Sequence, residues 1–174
     1  MKSEIFPIVD ERGVVIGSAS RKECHSGSML LHPVVHLHVF DEEGRLFLQH
    51  RSPDKDVQPD KWDTSVGGHV DFGETIEHAL LREANEELGL TEINPVFLYK
   101  YIFQSNIEKE YVNSYFTICN PAHVKIDNVE INEGKFFSLS EIRALIGKGI
   151  FTPNFEMEFE KLQNIDSPLN KFFR

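Results

Sequence analysis

The hydrophobic positions along the chain repeat with two different periods, and the change of period divides it into elements. Near the start, IFPIV and GVVIG flank the turn residues DERG, which reads as a β-hairpin. The run VVHLHVF, from Val34 to Phe40, alternates: Val35, Leu37 and Val39 share one face of a strand, and His36 and His38 share the other. DEEG then turns into RLFLQHR, which predicts a second hairpin. A polar, proline-punctuated loop, SPDKDVQPDK, leads to WDTSVGGHVDFGE, where consecutive glycines permit close approach of the backbone to a ligand. From Thr75 to Leu88 the period becomes helical, with Ile76, Leu80, Ala84 and Leu88 at four-residue steps and Gly89 as the left-handed residue that ends the helix. Further on, VFLYKYIF, YVNSYFTI and GKFFSL read as strands. A capping box from Ser138 to Glu141 precedes the helical EIRALI, and Thr152 with Pro153 opens a last helix, NFEMEFEKL. This order of strands, central helix, strands and C-terminal helices predicts one domain over residues 1–174, an α/β sandwich with a mixed sheet.

Composition narrows the functional classes. A chain of 174 residues, 40% hydrophobic and with 14 Phe, can bury a sizeable core. No stretch of 18 apolar residues is present, and MKSEIFPIVDERG has neither a basic n-region nor an apolar h-region, so a cytoplasmic protein without a membrane partner is expected. Cys24 and Cys119 form no CxxC pair and read as packed thiols. The formal charge of −10, without a run of Lys or Arg, argues against a nucleic acid duplex as partner. A small anionic substrate remains compatible if a divalent cation bridges it to the protein's carboxylates. Oligomeric state stays open between monomer and homodimer, with the aromatic tail NKFFR expected to pack on its own domain.

On a helical wheel Glu83, Glu86 and Glu87 cluster beside the apolar arc of the central helix. Such a triplet is most often a solvated acidic face, and its like charges repel unless something positive lies between them. Context reverses that reading. Gly68, then Glu74, then Arg82-Glu83-Ala84-Asn85-Glu86-Glu87-Leu88-Gly89-Leu90 resembles the Nudix box at every fixed polar and glycine position, with Ala84 where a bulkier aliphatic is usual. Seven fixed residues at about 7% background each would coincide by chance on the order of once in a million chains of this size. Similarity to the Nudix family, over residues 68–90, implies an αβα sandwich that holds Mg2+ or Mn2+. By position Glu83, Glu86 and Glu87 match the family's metal ligands, with the Gly67 carbonyl as a further one. It also implies hydrolysis of a diphosphate linkage by attack of water on phosphorus, with Glu83 or Glu86 as general base. Arg82 reads either as an ion-pairing partner that orients these carboxylates or as a solvated charge.

Beyond the box the chain resembles the isopentenyl-diphosphate isomerases and the isomerase-like Nudix hydrolases, through the leading hairpin, His25 and His32 around SGSMLL, LFLQHRSPDK, and His69 in WDTSVGGHVDFGE. The resemblance implies a second metal site at His25, His32 and His69, completed by acids from a later strand; ordinary structural histidines are the alternative. Glu108 and Glu110 lie nearby, but Lys109 and Tyr111 are the residues that align with the acids. Arg51 and Lys55, and more weakly Arg21, match the residues that hold the diphosphate in the isomerases, against a reading as surface charges. Trp62 reads as an anchor for its loop. The isomerase mechanism needs a cysteine where this chain has Gly67, so the resemblance favours a hydrolase of a nucleoside diphosphate derivative or other small diphosphate. An isomerase-like enzyme and a non-catalytic diphosphate sensor are the alternatives.

Overall fold

The computed structural model describes residues 3–55, 57–126 and 131–174. A first hairpin pairs β1 (Ile5–Val9) with β2 (Val15–Ser20) and stands apart from the main sheet. Its second strand begins two residues later than the sequence pattern predicts and runs on to Ser20. Gly13, at φ 83°, occupies the turn, and the register shifts at Val9, so GVVIG is divided between turn and strand. A single helical turn, α1 (Arg21–Cys24), follows under a capping box from Ser20 to Glu23.

Among the described residues the main sheet has seven strands. β3 (Leu31–Phe40) is its spine, buried along its whole length, and runs parallel to β8 (Lys109–Ile118). β7 (Val96–Gln104) closes that side against β8. On the other edge β3 takes β6 (Val66–His69) beside residues 34–37 and meets β4 (Leu46–His50) only at Phe40 and Leu46. The second hairpin expected from the sequence therefore splays after one pair. β4 turns to β9 (Glu133–Phe137) and to the short β5 (Trp62–Asp63) instead. One parallel pair among antiparallel ones makes the sheet mixed, as the sequence pattern predicts.

Helices cover both faces. On one face α2 (Ile76–Leu88) packs Leu80, Ala84 and Leu88 onto Val35, Leu37 and Val39. Each such leucine, fully withdrawn from water, contributes about 1.5–3 kcal/mol. Thr75 caps this helix and Gly89 ends it at φ 64°. Ala84 is wholly buried there, so its departure from the box affects packing alone. On the other face α3 (Leu139–Leu145) and α4 (Pro153–Asn164) bury Ile142, Phe155, Phe159 and Leu162 against Phe40, Leu46, Leu48 and Phe116. The tail ends in α5 (Asn170–Phe173), whose Phe172 stacks on Phe40 and whose Phe173 meets Phe159, so it packs on its own chain. The result is an αβα sandwich. The alternation of β3 assigns its two faces correctly, yet the histidine face is not solvated: α4 covers it.

Candidate active site and metal centres

A cleft of about 970 Å³ opens over β6 and the solvent side of α2. Its floor is the loop before α2, and its walls carry Gln49, Arg51, Lys55, Glu108, Glu110 and the start of α4. α2 presents Glu83, Glu86 and Glu87 to it at three different depths. Glu87 is buried and accepts the N–H of Gly67 (3.2 Å) and of the Gln49 amide (3.3 Å), which ties the helix to the strand below it. Glu83 lies against Gly68, where a Cβ would come within 2.1 Å of its Cδ. Glu86 is the most open, with 56% of its side chain exposed.

Arg82 organises this group. Its guanidinium donates to Glu74 (2.8 and 2.9 Å), Glu83 (2.8 Å), Glu86 (3.3 Å) and the His69 carbonyl (3.0 Å). The orienting role is thus the one the structure supports for Arg82, rather than a solvated charge. Burial acts to raise the Glu74 carboxyl, but the hydrogen bonds from Arg82, the Asp71 amide and His78 outweigh it and hold it at about 2. One guanidinium faces four carboxylates, Asp71 at 4.0 Å besides Glu74, Glu83 and Glu86, with Glu87 beside them. The surplus negative charge and hard oxygen donors suit a divalent cation of the magnesium class.

The second cluster lies at the other end of β6. Ligand atoms of His25, His32, His69 and Glu108 all fall within 4.8 Å of one another. His25 Nε2 is 3.2 Å from His69 Nε2 and 3.0 Å from Glu108, and His32 Nε2 is 3.8 Å from Glu108. His32 donates from Nδ1 to the Leu30 carbonyl (2.9 Å), which leaves a lone pair on Nε2. That nitrogen is buried without a hydrogen-bond partner among the described residues. Such an atom is costly unless something binds it. Burial keeps His32 below the ordinary histidine range and His69 well below it, so both are neutral, the form that ligates metal. Phe6 of the leading hairpin stacks on His69 with ring centroids 4.4 Å apart, and so forms one wall of the cluster. The donor set, three imidazoles and a carboxylate, fits a borderline divalent transition metal.

The acid in this cluster corrects the sequence alignment by one residue. Glu108 joins the histidines, while Tyr111 lies near Gly13 in the turn of the first hairpin. Side chains alternate along a strand, so a slip of one position exchanges Glu108 and Glu110 for Lys109 and Tyr111. Glu110, which pairs in register with His32, also lines the cleft, and burial together with Glu108 raises its carboxyl to about 7.

Arg51 and Lys55 both reach the cleft. The Arg51 guanidinium is partly engaged, by Asp63 (3.3 Å) and by the Val57 carbonyl (3.2 and 3.0 Å). Arg21 pairs with Glu4 at 2.9 Å on the rim. Trp62 packs between His50 and Phe137, an anchor as expected. Cys24 is buried and Cys119 half-buried, and both are free thiols. Not foreseen from the sequence is the pair formed by His36 and Glu158 beneath the cleft. A signal for it exists: Glu158 sits among Phe155, Phe159 and Leu162 on the apolar face of α4.

A family model described as NUDIX domain matches residues 30–155. An uncharacterized Nudix hydrolase of Streptomyces coelicolor is 32% identical over 152 residues, which cover 87% of this chain and 83% of that protein. An isopentenyl-diphosphate Delta-isomerase of Brevibacterium linens is 32% identical over 167 residues, covering 92% of each. Among solved structures, DR0079 of Deinococcus radiodurans superimposes with a TM-score of 0.78 at 26% identity, over 91% of this chain and 98% of that one.

Proposed function

Because this chain belongs to the NUDIX family of pyrophosphate-bond hydrolases and has isomerase-named relatives, we propose that it cleaves the diphosphate linkage of a nucleoside diphosphate derivative or comparable small diphosphate, with a divalent cation held by Glu83, Glu86, Glu87 and the Gly67 carbonyl. The observation that carries this reading is the convergence of three box carboxylates on one cleft, steadied by Arg82 and by the glycines of β6. When bound, Mg2+ or Mn2+ neutralises phosphate charge and acidifies water.

The chain's own groups do the rest. Glu86, the more open of the two candidate bases, accepts the proton of the attacking water. Glu83, tied to Arg82 and wedged against Gly68, is held as a ligand. The water oxygen bonds to phosphorus as the bridging P–O bond breaks, and the leaving phosphate departs as the anion. Lys55, with the unengaged N–H groups of Arg51, holds phosphate oxygens at the mouth. The whole chain acts as one domain. His25, His32, His69 and Glu108 hold a second divalent ion. Gly67, which offers no proton, sets the chain apart from the isomerase reaction. No helix among the described residues is long and apolar enough to cross a membrane, and a cytoplasmic setting suits the two free cysteines.

Product release from a panel of nucleoside diphosphate derivatives and other diphosphates, with Mg2+ or Mn2+, tests the reading. Wild type should turn over at least one, and Glu87→Gln should lose about 100-fold or more. Binding without turnover across the panel would point to a sensor instead.

A further inference from the structure

We propose that the end of the cleft formed by Phe103, Ser105 and Asn154 seats a nucleobase, so that the group attached to the diphosphate is a nucleoside. The inference rests on the hydrolase reading and names its substrate class.

The sheet sets the distance between the two ends of the cleft. Across it the strands run β6, β3, β8, β7. Neighbouring strands lie about 4.8 Å apart, so β7 stands three spacings, roughly 14 Å, from β6 and its glycines beneath the box carboxylates. Phe103 of β7 pairs with Glu110 of β8, and Glu110 with His32 of β3, so Phe103 shares the sheet face of Val34 and His36 that lines the cleft. A ribose with its 5′ phosphates bridges such a gap when the phosphates lie at α2.

The far end combines a flat apolar surface with fixed donors. Phe103 is half-buried, it lines the cleft, and no aromatic ring among the described residues packs against it. Asn154 enters the cleft from the second position of α4, which Thr152 caps. Tyr101 Oη donates to Asn154 Oδ1 (2.8 Å), and the Tyr101 ring is itself held under Lys161 Nζ, 5.2 Å from its centroid. The amide is therefore turned so that Nδ2 is the end it offers to the cleft, and no hydrogen bond among the described residues uses that nitrogen. Ser105, in the turn between β7 and β8, accepts the N–H groups of Ile107 and Glu108 on Oγ (3.2 Å each), which leaves its own proton to donate.

An aromatic face beside hydrogen-bond donors suits a planar ring that carries acceptors on its edge, as every nucleobase does. A prenyl chain would cover Phe103 equally well but would leave Asn154 and Ser105 without partners, and unpaired polar groups discriminate strongly against such a ligand. The donor pattern, more than the apolar surface, separates the two kinds of diphosphate.

The test is calorimetry on the full chain with Mg2+. It compares the α,β-methylene analogues of the common nucleoside diphosphates with methylenediphosphonate and with a prenyl methylenediphosphonate. At least one nucleoside analogue should bind about tenfold or more tightly than methylenediphosphonate, the contribution of one stacked base, and the prenyl probe should gain less. Phe103→Ala should remove about tenfold of that gain, each affinity being taken relative to methylenediphosphonate on the same variant. Phe103→Leu, which keeps apolar bulk without the flat face, provides the comparison if the alanine variant does not fold. In wild type labelled with 15N-asparagine, the Asn154 Nδ2 resonances should shift with the nucleoside analogue and stay in place with methylenediphosphonate. Nucleoside analogues no tighter than methylenediphosphonate, a prenyl probe tighter than all of them, a gain that survives in the Phe103 variants, or an unmoved Asn154 signal would overturn the proposal. Nucleoside binding through Phe103 in a protein that turns over no diphosphate would support it while the hydrolase reading fails. Turnover confined to diphosphates without a base would sustain the hydrolase reading and sink this one.

Discussion

Gly67 and Gly68 stand side by side on β6 under α2 and answer to different constraints. A Cβ at Gly68 would come within 2.1 Å of Glu83 Cδ, whereas one at Gly67 meets nothing nearer than His36 Cδ2 at 3.5 Å, ordinary contact. Gly68→Ala is therefore expected to displace the Glu83 carboxylate, to cost about 1–3 kcal/mol from overpacking, and to lose most metal-dependent turnover. Gly67→Ala should melt close to wild type. Thermal denaturation of the two variants in parallel checks this, and equal melting temperatures would contradict it. The sequence marks both glycines as places where something approaches the backbone closely. That the approach at Gly68 is made by the protein's own glutamate depends on how α2 lies on β6, which adjacent letters do not encode.

At the scale of elements, α2 is fastened to its loop by Arg82 and Glu74. The Glu74 carboxyl, at about 2 in the folded chain against 4.5 ordinarily, is depressed, so its contribution is full above about pH 4.5 and is lost as pH falls towards 2. The shift corresponds to roughly 3 kcal/mol. Urea unfolding followed from pH 7 down to 3 should show wild-type stability falling over the lower part of that range, and Glu74→Gln should be less stable at pH 7 and flatter with pH. Parallel curves for the two proteins would remove Glu74 from the account. The helix itself was legible, because Ile76, Leu80, Ala84 and Leu88 have one period, Thr75 a capping side chain and Gly89 a left-handed φ. The faces of β3 were legible too, from strict alternation. What covers its histidine face was not, since Glu158 lies 122 residues from His36 and their meeting is a matter of packing. Glu108 was named as a nearby acid, but the alignment fell one position off for a related reason: it precedes β8, whose register is set by its parallel pairing with β3.

At the scale of the molecule, β6 carries two metal-type donor sets into one cleft, carboxylates on the α2 side and imidazoles at His69. Only the carboxylate set is complete within a contiguous motif; the other draws on the residue after α1, on β3 and β6 and on the residue before β8, so it becomes whole only when the sheet forms. Metal analysis of protein passed through gel filtration should find about one more divalent transition-metal ion per chain in wild type than in His32→Ala. Equal contents would leave the buried His32 nitrogen to some other partner. The central claim, that this cleft hydrolyses a diphosphate at phosphorus with metal held on α2, is tested most directly by turning over the diphosphate panel in 18O-labelled water with Mg2+ and mass-analysing the products. The account expects one 18O atom in a phosphate group of one product for wild type, and negligible product when Mg2+ is chelated or Glu87 is changed to Gln. Label appearing at carbon, or equal turnover by Glu87→Gln, would contradict it.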